Sequence, residues 1–438
     1  MDKFVCSRRV PGETGSAARA PRLGRNLFAM IAWQVGNYLV PLATFPYLTR
    51  ILGPSNFGIL GYASAIAVYG VLWTDWGFNL SGPRAIVERR GDKDAVNDLI
   101  WSVIFAKALL CLVSLLALGV AMRFDRHAAT AIPVVLVSWI AVVSNVFTLN
   151  WVLQGLERFS LFAVVSLAGR FATLPLIFAF VKSADDIALA AAIQAFAPCM
   201  TGLFSLLMVQ RLGLLGRPGR AWRSAARRLR EGVDMFLSTI SVSLFGVTNT
   251  VLLGALGDPY QVGLYAAADR LKTVGNMVPA QINSVLYPRV SALMLDRPMS
   301  AARLTALGAV ATLAITGVGV LAVTALSHYV TSVLLGPDFG AAAPVLTLLC
   351  IATIFGNLAY LLGLQVLVPF ANGKLRSVVM LLAGVLNIGL SFALIPRFGA
   401  RGAGWAFLTA EAVILAVFVM VIVGSPRMRA HFTQLLRA

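Results

Sequence analysis

Charge is what this sequence has least of. Only 12% of its 438 residues are Asp, Glu, Lys or Arg, against about 25% in a typical water-soluble chain. So few charges cannot cover a surface facing water, which excludes soluble enzymes, nucleic-acid-binding proteins and disordered chains. Acidic residues are scarcer still, 18 against 36 basic ones, for a formal net charge of +18. Histidines number three and cysteines four. Cys6, Cys111, Cys199 and Cys350 lie far apart and three sit in apolar runs, with no spacing that would hold zinc or a disulfide framework. No GxxxxGK[ST] motif occurs, so ATP is not a direct energy source within this chain.

What is present is hydrocarbon: 59% of the residues are hydrophobic. A bilayer core of about 30 Å needs about 20 apolar residues per helix. Twelve runs qualify: 26–46, 57–79, 99–122, 131–152, 160–181, 187–209, 233–256, 262–294, 302–326, 341–369, 376–396 and 401–424. They are continuous rather than alternating, which argues for an all-α polytopic membrane protein and against a β-barrel. Pro41, Pro175, Pro279 and Pro288 fall inside spans, where they free backbone groups and can bend the helix. Residues 1–25 are basic and loop-like, without an apolar signal segment, and read as a cytoplasmic tail; residues 425–438 read as a second. Connections on the tails' side of the membrane hold 25 basic residues with the tails, and the opposite connections hold six. That asymmetry places both termini in the cytoplasm of a multi-pass membrane protein.

The most polar connection, 210–231, is basic and falls at mid-chain, dividing a six-helix bundle over 26–209 from another over 232–424. LGPSNFGILGYASA at 52–65 is echoed by LGDPYQVGLYAAA at 256–268, and QGLERF at 154–159 by NGKLR at 372–376. Two such bundles in the same orientation imply a pseudo-twofold axis along the membrane normal, with a site between them.

Ionisable residues inside spans cost about 2.5–3.5 kcal/mol each at a helix centre, so they mark positions facing protein or water. The basic ones are Lys107, Arg170, Arg270, Lys272 and Arg289; the acidic ones are Asp75, Asp234, Asp269 and Glu411. Asp75, Asp234 and Arg289 lie near cytoplasmic ends, where reaching the interface or capping a helix is the simpler role. Lys107 is shallow enough to snorkel. Arg170 and Glu411 are near mid-span, and a static pair between them is the plainer alternative to a function. The eighth span is the most polar. Asp269, Lys272 and Asn276 share one face of it, Asp269 and Lys272 can pair, and Arg270 projects about 100° away. Asn145, Asn249, Asn276, Gln281 and Asn283 read as cavity-lining amides, with interhelical hydrogen bonding as the competing use.

At these same residues the chain resembles a known family. NYLVPLATFPYLTRILGPSNFGILGYASAIAVYG (37–70) is similar to the first two helices of bacterial O-antigen and capsule-unit flippases, the polysaccharide-transport branch of the MOP superfamily that also holds MATE exporters. DWGFNLSGPRAIVERRGD (75–92), NWVLQGLERF (150–159), NTVLLGALGDPYQVGLYAAADRLKTVGNMVPAQINSVLYPRVSAL (249–293) and LLGPDFGAAAPVLTLL (334–349) fit the same branch. The resemblance implies translocation of a polyprenyl-diphosphate-linked oligosaccharide from the cytoplasmic to the periplasmic leaflet by alternating access.

Such a cargo carries phosphates and hydroxyls that cannot cross hydrocarbon unassisted. A cationic groove between the halves would carry them, and arginine suits phosphate because its planar fork bonds two oxygens. Arg170 and Arg270 are therefore the first expected diphosphate contacts, supported by Lys107 and Lys272, with Arg50 and Arg84 attracting the headgroup at the span ends. Asp269, Glu411 and Asp75 are the candidates for proton or sodium coupling, and the membrane potential is expected to contribute. No cofactor is expected. Expected partners are the lipid-linked oligosaccharide, membrane lipids, a glycan polymerase and other assembly proteins, and no nucleic acid. A MATE-type cation or drug antiporter is the main rival. A membrane polymerase or ligase fits less well, because every outward connection is short and no paired carboxylates or Ser/His/Asp set is present.

Overall fold

The computed structural model describes residues 16–123, 128–219, 221–243, 247–370 and 372–433. Residues 1–15, with Cys6, and His127 lie outside them. The regular elements of the described residues are all helical. Nine helical stretches among them are long and apolar enough to cross a membrane. The first of these holds two of the expected spans, and two further spans, 233–256 and 262–294, are each assembled from a pair of shorter helices. About twelve crossings result.

In the N-terminal half, α1 (Ser16–Asp75) is followed by α2 (Phe78–Glu88), α3 (Lys93–Ala121), α4 (Ala128–Val146), α5 (Asn150–Gly155), α6 (Phe159–Phe180) and α7 (Ile187–Arg211). The basic tail is thus helical from Ser16, not loop-like as its composition implies. Spans one and two are two helices that meet in a kink at Gly53, whose φ of 68° only glycine adopts without strain. Asp92 starts α3 by accepting from the Ala95 amide at 2.9 Å. α1 packs on α4 and α6, and both of these pack on α7.

The C-terminal half comprises α8 (Trp222–Ser243), α9 (Thr248–Leu256), α10 (Pro259–Gly275), α11 (Met277–Asp296), α12 (Pro298–Val330), α13 (Ala343–Leu362), α14 (Gly373–Phe398), α15 (Ala400–Gly424) and α16 (Pro426–Thr433). A π-helical turn (Thr331–Leu335) and a 3-10 turn (Pro337–Ala342) join α12 to α13, and a second π-helical turn (Gly363–Leu367) ends α13. Asp258 caps α10, accepting from Gln261 N at 2.9 Å, and Pro259 pre-sets its first turn. α13, α14 and α15 form the bundle's centre, with α12 against α11 and α13. Leu116, Val318 and Leu321 exemplify the apolar exterior, at 64%, 66% and 72% exposed; around a folded chain in water such a surface would be a liability, and against lipid it is the solvated face.

The halves meet chiefly through α1 and α10, at the two repeated segments. A Cβ on Gly58 would lie 1.8 Å from the Pro259 carbonyl oxygen, and one on Gly263 would lie 1.9 Å from that of Pro54. Pro54 and Gly58 are each 205 residues before Pro259 and Gly263. Gly61 and Ala266, with the same spacing, come next along the crossing. Each half therefore offers the other the surface it receives, the reciprocity of a twofold contact. Farther along, α11 has its principal contacts with C-terminal elements, chiefly α12. The halves are thus joined at the α10 end of the eighth span, and again where α8 packs on α2 and α3 with Trp76 stacked on Phe236 at 4.1 Å.

Candidate functional site

Arg270 stands at this junction. Its guanidinium lies over the rings of Phe45 and Phe57 on α1, at 5.7 and 5.6 Å. A cation held on aromatic faces keeps its charge while its hydration is partly replaced. Two residues on, Lys272 pairs with Asp269 at 2.5 Å and lies 4.6 Å over Phe407 of α15, the pairing that the three-residue spacing predicts. Asn276 ends α10 and accepts a hydrogen bond from Asn357 at 2.7 Å. The eighth span is therefore two helices meeting at Asn276, not one continuous polar face.

Glu411 on α15 rests against Gly356 of α13, where a Cβ would come within 2.9 Å of its carboxylate. Lys272 is close enough to act on it electrostatically. Glu411 does not pair with Arg170, so the inter-half pair considered from sequence is not formed. Arg170, half-buried on α6, has no carboxylate within salt-bridge distance among the described residues.

Lys107 and Asp75 differ most from their sequence reading. Lys107 does not snorkel: its side chain is 1% exposed and pairs with Asp75 at 3.4 Å. It also donates to the Asn145 carbonyl at 3.3 Å. Asp75 neither reaches the interface nor caps a helix; it accepts from Asn79 at 2.5 Å as well. Asn145 donates to Thr74 at 2.8 Å. This cluster ties α1, α3 and α4 together within the N-terminal half, and it removes Lys107 from the surface a cargo could touch.

Most of the amides expected to line a cavity instead bond helix to helix. Asn249, 1% exposed, donates to the Tyr265 hydroxyl (3.1 Å) and accepts from Asn387 (2.9 Å) and Ser391 (3.2 Å). Asn283, also 1% exposed, accepts from Gln365 at 3.2 Å. Gln281 alone of the five is exposed, bonded to Ser284 one turn along its own helix. A buried amide in hydrocarbon must find a partner, and neighbouring helices supply it.

At the span ends, Arg50 donates to the Val333 carbonyl, strapping α1 to the π-helical turn of the other half. Arg84 is exposed on α2. Tyr69 and Thr248 form a second polar link between the halves. It borders an apolar cavity of about 400 Å³ walled by Tyr62, Trp73, Trp139 and Val251. One cation escaped the sequence reading altogether. Arg376, the first residue of the expected span 376–396, packs against Gly363 and stands 6.0 Å over Tyr360.

Half-buried cations at a junction of two repeated helical bundles are the arrangement of a polytopic membrane transporter. The architecture has solved counterparts. A lipid II flippase, MurJ, in an inward closed conformation superposes with a TM-score of 0.71 at 12% identity, covering 91% of this chain and 88% of that one. An inward-facing multidrug resistance MATE family transporter of the MOP superfamily gives 0.65 at 16% identity, covering 92% and 98%. The model of the family described as "Polysaccharide biosynthesis protein" matches residues 23–294, and the chain belongs to that family. Among curated proteins, a putative O-antigen transporter of Escherichia coli (strain K12) is 29% identical over 405 residues, 91% of this chain and 96% of that protein.

Proposed function

We propose that the protein flips a polyprenyl-diphosphate-linked oligosaccharide from the cytoplasmic to the periplasmic leaflet of the bacterial inner membrane, with both termini in the cytoplasm. The observation that carries this reading is Arg270, a cation at the junction of the halves, seated on Phe45 and Phe57 of the opposite half. Arg170, with no carboxylate partner, supplies a second positive position. The similarity to an O-antigen transporter and to a lipid II flippase supports a lipid-linked anionic cargo over a cationic drug. In this reading the cargo crosses by alternating access, and the crossing at Gly58 and Gly263 is the contact between the halves that must part for release.

Arg170→Glu and Arg270→Glu chains are expected to abolish surface glycan in a flippase-null strain and to leave lipid-linked repeat units inside the cell. Immunoblotting of the glycan and extraction of the lipid-linked pool measure both. Surface glycan at the level of the parent chain would refute the role of these arginines and favour a MATE-type exporter.

The membrane potential is part of the reading. Moving a doubly negative diphosphate out of a cell with a negative interior gains about 4–5 kcal/mol per 100 mV. Flipping in vesicles should therefore slow when valinomycin and potassium collapse the potential. A rate unchanged by that treatment would leave proton or sodium coupling through Asp269 or Glu411 as the drive.

A further inference from the structure

Arg376 is a cation without a counter-charge. No carboxylate lies within salt-bridge distance among the described residues, and its Nε is buried with no hydrogen-bond partner. Its neighbours are phenols: the guanidinium stands 6.0 Å over the Tyr360 ring, and Tyr287 of α11 is near enough to act on it electrostatically. The packing leaves no room for a side chain at Gly363. A Cβ on Gly363 would lie 2.9 Å from the Arg376 Nε and 3.1 Å from its Cδ. Gly363 opens the second π-helical turn, a widened turn of the kind that gathers at functional sites. Within that turn Gln365 is 1% exposed, and its Oε1 also lacks a partner.

A structural arginine in a membrane protein is normally neutralised, because an isolated charge is costly there. Here the protein brings a guanidinium to a glycine-cleared position, seats it on an aromatic ring and leaves its charge unmatched. Arginine's fork suits phosphoryl oxygens, and tyrosine hydroxyls add donors without cancelling the charge. Depth supports the same ligand. Arg376 is the fourth residue of α14, which begins at Gly373, so it stands near the interface, where lipid phosphates reside. Arg270 lies deeper, at the junction of the halves.

We propose that Arg376, with Tyr360 and Tyr287, is a binding site for the phosphoryl oxygens of a prenyl diphosphate in the cytoplasmic leaflet, taking the cargo before it reaches Arg270. The proposal rests on the flippase reading. A phospholipid offers the same phosphoryl chemistry, so the test separates the two sources.

The full chain in lipid nanodiscs is titrated with farnesyl diphosphate, with farnesol and with phosphatidylglycerol, and binding is followed by native mass spectrometry. Arg376→Gln should weaken farnesyl diphosphate tenfold or more and leave farnesol unchanged, since only the charge-assisted bonds are lost. Arg376→Lys should fall between, keeping the charge without the fork. Gly363→Ala should weaken binding with the charge intact, by displacing the guanidinium; it keeps the test decisive if the glutamine variant fails to fold. Phosphatidylglycerol should compete poorly. Equal binding by the parent chain and Arg376→Gln, or phosphatidylglycerol competing on equal terms, overturns the proposal. Failure of the parent chain itself to bind farnesyl diphosphate overturns the flippase reading instead.

Discussion

Gly58→Ala and Gly263→Ala are each expected to stop flipping while the protein still inserts and folds. The added methyl would sit 1.8 or 1.9 Å from a backbone carbonyl of the opposite half, which has no rotamer by which to yield. Overpacking of this kind costs about 1–3 kcal/mol. Here the cost falls on one conformation, the state in which α1 and α10 cross, so it lowers that state's population by about 5–150-fold. Gly61→Ala is the internal control. Its methyl would meet Ala266 Cβ at 3.1 Å, where a small shift suffices, and it should retain most activity. Spin labels at Ser55→Cys and Tyr260→Cys, in a chain whose native cysteines are replaced, report the separation directly. The Gly58 and Gly263 variants should lengthen that distance and Gly61→Ala should not. An unchanged distance in all three would remove the crossing from the mechanism.

The second large effect belongs to Lys107. Replacing it with alanine leaves the Asp75 carboxylate, 14% exposed, without its counter-ion. Breaking a buried pair by removing one member costs about 3–5 kcal/mol, because an uncompensated charge stays in a low-dielectric interior. Lys107→Ala should therefore lower the thermal midpoint in detergent by several degrees or prevent accumulation of the protein. Lys107→Met combined with Asp75→Asn removes both charges, and should recover most of the loss. Were the double variant as unstable as the single one, the pair would not be what holds α1 to α3. A double variant that is stable and still flips would confine Lys107 to scaffolding.

Span positions were legible because hydrocarbon sets them: runs of about 20 apolar residues leave few alternatives. The repeat was legible for a related reason. Pro54, Gly58 and their partners 205 residues later are fixed by the close crossing, which tolerates almost no side chain. The Asp269–Lys272 pair needed only helical spacing. What stayed hidden depends on which helices become neighbours. Lys107 and Asp75 are 32 residues apart, and hydropathy cannot say that α3 turns Lys107 toward the end of α1. Asn249 and Asn283 look the same in sequence whether they face water or another helix. Arg376 opens the expected span 376–396, where a cation at a helix end draws no notice, and its setting is created by a π-helical turn that leaves no periodic trace. The break at Gly53 likewise lacks a polar loop to announce it: one non-helical glycine separates the two spans.

The measurement that bears most directly on the whole account is flipping by the purified chain in proteoliposomes. A polyprenyl-diphosphate-linked short oligosaccharide carrying a fluorophore on its sugar is placed in both leaflets, and a membrane-impermeant reductant quenches the outer one. The parent chain should render nearly all of the fluorescence reducible, whereas Arg270→Glu should leave the inner-leaflet fraction protected, as in protein-free vesicles. Protection of that fraction by the parent chain, or equal flipping by Arg270→Glu, would contradict a cationic junction that escorts an anionic headgroup across the membrane.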